Sequence, residues 1–159
     1  MNKIIVSLAL ISCGFLFSQD LPNIALKDLD GASINVQELS NSDDVKILAF
    51  WATWCVPCIN ELDAISDVYE DWQDETNVEL IAISTDDSRT IKRIRPLING
   101  KDWDYTILMD DNQDLKRALN ISILPHVLVV KNGDILYRKT SYTPGSEDEL
   151  FEIVQKHSN

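Results

Sequence analysis

The sequence predicts an α/β fold with a sheet at its centre, on three observations. Residues 45–51 and 78–84 are near-continuous apolar runs, as strands buried on both faces of a sheet should be. Each run is followed by a stretch whose apolar residues recur at helical spacing. Beyond them, residues 127–131 and 135–140 flank Asn132-Gly133, the dipeptide of a tight antiparallel hairpin, and a last helical pattern closes the chain. The 159 residues suffice for one domain with a full hydrophobic core.

Residues 23–35 read as a short hairpin: Ile24, Leu26 and Leu29 are apolar, Asp30-Gly31 makes the turn, and Ala32-Ser33-Ile34 returns. Residues 36–40 make one helical turn, and the polar residues 41–44 lead into the strand at 45–51. The longest helix is expected over residues 55–73, where apolar Ile59, Leu62, Ile65, Val68 and Tyr69 are separated by Glu61, Asp63, Asp67, Glu70 and Asp71. After the strand at 78–84 comes a helix over residues 88–98, kinked or ended by Pro96. Residues 105–109 form a short strand and residues 112–119 a short helix. Ser146, with Glu149 three residues later, is a capping box opening a helix through His157. Asp43-Asp44 and Asp86-Asp87 read as solvated loops. Asp110-x-Asn112-x-Asp114 has the start of a calcium loop, but Leu115 stands where glycine belongs and Ile121 where a bidentate glutamate belongs, so calcium is rejected.

The chemistry lies in Trp54-Cys55-Val56-Pro57-Cys58, at the junction of the first buried strand and the longest helix. Two cysteines three apart share one helix face and can close and reopen a small disulfide. The unpaired N–H groups and positive dipole end of a helix N-terminus favour thiolate, pulling a cysteine below its free pKa of about 8.5. Cys55 is expected to be the more exposed and more acidic sulfur. Cys58, a turn inside the helix, suits attack on a mixed disulfide formed at Cys55. Pro57 sits where an N–H lacks a partner in any case. Two other readings compete. A zinc site needs four ligands, and the chain offers only Cys13, His126 and His157 besides this pair. A static staple gains most by closing a long loop, which this pair does not.

These residues resemble the W-C-x-P-C active site of the thioredoxin superfamily, and specifically of exported TlpA/ResA-like thiol-disulfide oxidoreductases. The resemblance covers essentially the whole chain after its first residues. It implies a thioredoxin-like three-layer fold: a central mixed sheet with a C-terminal antiparallel hairpin and helices on both faces. It also implies that Pro125 is a cis-proline packed against the cysteine pair, with Leu124 meeting substrate backbone and Trp54 and Pro57 lining the same surface. His126 stands where the family usually has threonine. Its ring either reaches Cys55 and stabilises the thiolate or packs into the core. The family's common buried acid in the preceding strand is replaced by Ala49. Glu61, three residues past Cys58, resembles the active-site glutamate of ResA-like proteins and is expected to manage the Cys58 proton; a solvated helix glutamate is the other reading. A thiol peroxidase fits less well, since Leu48 and Ala52 occupy the proline and threonine positions of a P-x-x-x-T-x-x-C pattern. A thioredoxin-fold binding module without catalysis is the reading from another class.

A formal net charge of -12 argues against nucleic acid and against an anionic membrane surface. Residues 1–18 read as a signal peptide, with Lys3 as the positive start, an apolar stretch over residues 4–11, and cleavage after Ser18. Residues 19–159 then form the single domain of an exported, periplasmic or cell-envelope protein. Leu10-Ile11-Ser12-Cys13 also resembles a lipoprotein box, by which Cys13 would carry a lipid anchor. No cofactor and no metal are implied. The resemblance implies oxidised exported proteins as substrates, apocytochrome c among them, and a membrane thiol electron donor.

Overall fold

The structure is a computed structural model and describes residues 20–158. The leader expected over residues 1–18, with Cys13, lies outside the described residues.

Seven strands form one mixed sheet: β1 Ala25–Asp28, β2 Ser33–Asn35, β3 Lys46–Trp51, β4 Glu79–Ser84, β5 Thr106–Met109, β6 His126–Lys131 and β7 Asp134–Thr140. Their order across the sheet is β2-β1-β5-β4-β3-β6-β7. β3, β4 and β5 run parallel, and the hairpins β1–β2 and β6–β7 pair antiparallel at the two sides. Every residue of β3 is buried, which accounts for its near-continuous apolar sequence. Its one charge, Lys46, pairs with Glu79 directly across the parallel register at 2.7 Å. The β6–β7 turn is the expected Asn132-Gly133, with φ of 52° and 83°; two successive positive φ values make the turn whose twist matches a hairpin.

Alternation along β3 and β6 divides the core in two. Ile47, Ala49, Trp51, Val127 and Val129 face one side, against α2 Val56–Ser66, α3 Tyr69–Thr76 and α6 Ser146–Ser158. Leu48, Phe50, Leu128 and Val130 face the other, against α1 Val36–Ser40 and α5 Asp114–Ala118. The result is helix, sheet and helix in three layers, as the resemblance implies.

Four expectations are corrected. The helix expected over residues 55–73 breaks between α2 and α3. Val68 leaves helical geometry at φ -125°, ψ 2°, and its N–H bonds back only three residues, to Ile65. Contacts outside the helix favour the break: the Ser66 hydroxyl donates to the Asp102 carbonyl, and the new direction points Tyr69 at the sheet, where its hydroxyl accepts the Leu80 N–H at 2.8 Å. The helix expected over residues 88–98 is only a 3₁₀ turn, Ile91–Arg93, and the short α4, Ile94–Ile98. Pro96 is the third residue of α4, where an N–H has no partner inside a helix. Asp86 is not solvated but buried, 1% exposed. The cap of α6 is also built otherwise: the Ser146 hydroxyl accepts the Thr143 N–H, the Glu147 carboxylate accepts the Gly145 N–H, and Glu149 lies 3.5 Å from the Tyr137 hydroxyl.

Candidate active site

β3 carries the chain to the site. After Trp51, residues 52–55 turn, with the Cys55 N–H donating to the Ala52 carbonyl at 3.0 Å, and α2 begins at Val56 with Cys55 as its N-cap. Pro57 falls in the first turn of α2, as expected. Cys55 and Cys58 are joined by a disulfide with Cα atoms 5.3 Å apart. Cys55 is 6% exposed and Cys58 1%, so Cys55 is the outer sulfur. Trp54 and Val56 on either side of Cys55 are 58% and 65% exposed. The outer cysteine is therefore flanked in sequence by two apolar side chains open to solvent.

The second wall comes from the β6 entrance. The Leu124–Pro125 peptide bond is cis. Because His126 pairs with Phe50 in the antiparallel register, Pro125 comes level with Trp51, at the end of β3 from which the chain leaves for Cys55. Leu124 packs on the same apolar cluster that contains both cysteines, and Ile123 before it is 56% exposed. His126 takes the second of its two expected orientations. It lies on the far face of the sheet from Val127, with its ring edge-on to Phe50 at 6.5 Å and Nε2 3.4 Å from Arg138. Burial first and the Arg138 charge second push its pKa down.

Glu61 is buried, 2% exposed, one turn past Cys58. Lys139 on β7 stands beside it, Nζ 3.9 Å from Oε1, and that oxygen has no hydrogen-bond partner. Burial pushes the carboxyl up to about 7; Lys139 opposes the rise and Glu147 adds to it. A carboxyl with that pKa can both take and return a proton near neutrality, and it stands three residues past Cys58 on the same helix. Sequence reasoning did not single out Lys139. The available signal was strand alternation, which puts Lys139 across from Val127 on the cysteine face of a half-covered strand.

Asp86 was also missed. Its carboxylate accepts the Thr53 N–H at 2.8 Å, the Thr53 hydroxyl at 2.6 Å and the Ser84 hydroxyl at 2.8 Å. A short, acid-ending segment just after a buried strand was the only hint. Among the described residues, no group of three His, Cys, Asp or Glu side chains is placed to hold a metal ion. Asp110, in the rejected calcium pattern, accepts the Leu115 and Lys116 N–H groups and so opens α5.

Comparison with known proteins agrees with this geometry. The AhpC/TSA family profile matches residues 17–138. A curated relative, the thiol-disulfide oxidoreductase ResA of Bacillus thuringiensis, is 27% identical over 119 residues, which are 74% of this chain and 66% of that protein. The chain thus spans just under two thirds of that relative's length. The ResA of Halalkalibacterium halodurans is 28% identical over 136 residues, 84% of this chain and 74% of that protein. Among solved structures, a thioredoxin-like protein of Porphyromonas gingivalis is 44% identical with a TM-score of 0.76, covering 87% of this chain and 91% of its own. A DsbE-type protein of Chlorobium tepidum, at 17% identity and a TM-score of 0.78 over 89% of this chain and 97% of its own, shares the fold.

Proposed function

The chain belongs to the AhpC/TSA family, with a thioredoxin-like fold, and on that premise we propose that it is an exported thiol-disulfide oxidoreductase that reduces disulfides of other exported proteins. The observation that carries the reading is the Cys55–Cys58 disulfide at the N-terminus of α2, its outer cysteine flanked by the exposed apolar Trp54 and Val56. In the reaction, the Cys55 thiolate attacks one sulfur of a substrate disulfide and releases the other as a thiolate. Cys58 then attacks Cys55, closing the Cys55–Cys58 disulfide and releasing the second substrate thiol. Two electrons pass from the pair to the substrate. The structure has the pair in its oxidised form.

Glu61 is the proton acceptor for Cys58 in this scheme, which its burial and raised pKa support. Leu124 and Pro125 hold the extended backbone of the substrate, with Trp54 and Pro57 on the other side. Val56-Pro57 puts no histidine between the cysteines to stabilise the thiolate, which favours a reductant over a strong oxidant. A reductant in an oxidising compartment must be recharged, so a membrane thiol donor is its partner, and apocytochrome c is one candidate substrate. Residues 1–18 supply the export signal, with a lipid on Cys13 as the alternative means of attachment.

Thiol peroxidase activity is disfavoured by Leu48 and Ala52, both wholly buried apolar residues at the positions that need proline and threonine. The deciding experiment is insulin reduction by dithiothreitol with the chain present, followed by the reduction potential of the pair. Acceleration together with a potential near or below about -230 mV supports the reductase. A potential above about -150 mV would make the protein an oxidant or isomerase. No acceleration would leave a binding module.

A further inference from the structure

Resting on the reading that Cys55 attacks disulfides, we propose that Asp86 is a positioning residue of the reaction. Its carboxylate fixes the turn at residues 52–55 so that the Cys55 sulfur meets an incoming disulfide in line. Both oxygens of this buried group are engaged: Oδ2 accepts the Thr53 N–H and the Ser84 hydroxyl, and Oδ1 accepts the Thr53 hydroxyl. The Ser84 hydroxyl in turn accepts the Asp86 N–H at 3.1 Å, so the aspartate is held by its own backbone. Next to it, the Thr85 N–H and hydroxyl both donate to the Trp51 carbonyl, at 2.8 and 3.2 Å. Residues 84–86 thus grip residues 51 and 53 from the side.

That segment has its own support. The Asp110 N–H donates to the Ser84 carbonyl at 2.8 Å and the Gln113 side chain to the Thr85 carbonyl at 3.0 Å. The anchorage therefore runs from the start of α5 through the end of β4 to Thr53, two residues from the reactive sulfur. The turn it holds has irregular backbone and carries the solvent-facing Trp54, which contributes little to fixing it. Attack on a disulfide needs the sulfur aimed along the bond it breaks, and a misplacement of about 1 Å can cost about a hundredfold in rate. The same alignment keeps the sulfur at the N–H groups that open α2.

The test uses the full purified chain. Wild type must first accelerate insulin reduction; if it does not, the oxidoreductase reading falls and this proposal with it. Asp86→Asn keeps the shape but replaces one accepting oxygen by an NH2 group, so the side chain cannot accept both the Thr53 N–H and the Thr53 hydroxyl on separate oxygens. Thr53→Val removes one of the bonds without touching the acid, and Thr53→Ser restores the hydroxyl. Asp86→Asn and Thr53→Val should each slow the reaction of reduced Cys55 with 5,5′-dithiobis-(2-nitrobenzoate) about tenfold and shift the pH profile of its alkylation by iodoacetamide. Thr53→Ser should return both to wild type, which a general loss of packing does not predict. If Asp86→Asn does not fold, the Thr53 pair decides alone. Wild-type rate and pH profile in Thr53→Val would overturn the proposal.

Discussion

Lys139 Nζ stands 3.9 Å from Glu61 Oε1, with Glu61 buried and Lys139 partly so, yet its hydrogen bond goes to the Ser146 carbonyl at 2.8 Å. The ammonium therefore acts on Glu61 through space and leaves Oε1 without a hydrogen bond. This decides which effect wins. Desolvation favours the neutral acid, a cation at that separation offsets it only in part, and Glu147 works against the cation. The acid ends near the pH at which a reductase works.

With the cysteine pair oxidised, Glu61 changes charge near pH 7, so the pH dependence of the Cys55–Cys58 potential should change slope there. Glu61→Gln should remove that break. The two neighbouring charges should move it in opposite directions: Lys139→Met upward, since the cation lowers the Glu61 pKa, and Glu147→Gln downward. Potentials measured in thiol buffers from pH 5 to 9 check all three. A Glu61→Gln curve that matches wild type would make Glu61 a bystander.

The same raised pKa makes a statement about stability. The folded chain keeps the Glu61 proton where the unfolded chain, near 4.5, has lost it. The contribution is therefore fully present below pH 4.5 and is lost as pH rises through about 7. Glu61→Gln never ionises, so its stability relative to wild type should increase across that window, by on the order of 3 kcal/mol at most. Urea unfolding at pH 4.5 and pH 8 measures it. An equal difference between the two proteins at both pH values would place the Glu61 ionisation outside this window.

Tyr69 ties α3 to β4 through its hydroxyl, which accepts the buried Leu80 N–H at 2.8 Å. Tyr69→Phe keeps the ring and its edge-on contact with Tyr105 but leaves that N–H without a partner. The expected loss is about 1–3 kcal/mol in denaturant unfolding, with the reduction potential little changed. A loss under about 0.5 kcal/mol would mean that water replaces the hydroxyl.

Much of this was legible in the sequence because period and turn chemistry are local. β3 was readable from a near-continuous apolar run, the last hairpin from Asn132-Gly133, and the redox pair from its spacing. What was not legible depended on partners distant in sequence. Nothing between Asp67 and Tyr69 is a helix breaker; the break follows from the Ser66 contact with Asp102 and the Tyr69 contact with Leu80. Asp86 looked like a surface acid because its three donors come from Thr53 and Ser84, and only the pairing of β3 with β4 brings Thr53 to it. The orientation of His126 follows from its register with Phe50, which one strand read alone does not give.

Trp54, Val56 and Ile123 are 58%, 65% and 56% exposed, the largest apolar side chains left open to solvent near the ends of β3 and β6. Folding does not require them there, and each forgoes the gain of burial by standing in water. They suit an extended, partly apolar polypeptide laid across the disulfide, its side chains meeting the rim and its backbone meeting the cis-proline loop. Trp54→Ala should then lower the rate with a protein disulfide such as insulin about ten- to thirtyfold, as loss of an exposed aromatic anchor does at other interfaces. The rate with a small disulfide such as oxidised glutathione should fall far less, because that molecule is too short to reach the rim. The ratio of the two rates is the readout, since it cancels any change in Cys55 itself. An equal fall with both would assign Trp54 to the turn that holds Cys55, and no fall with either would remove it from the substrate surface.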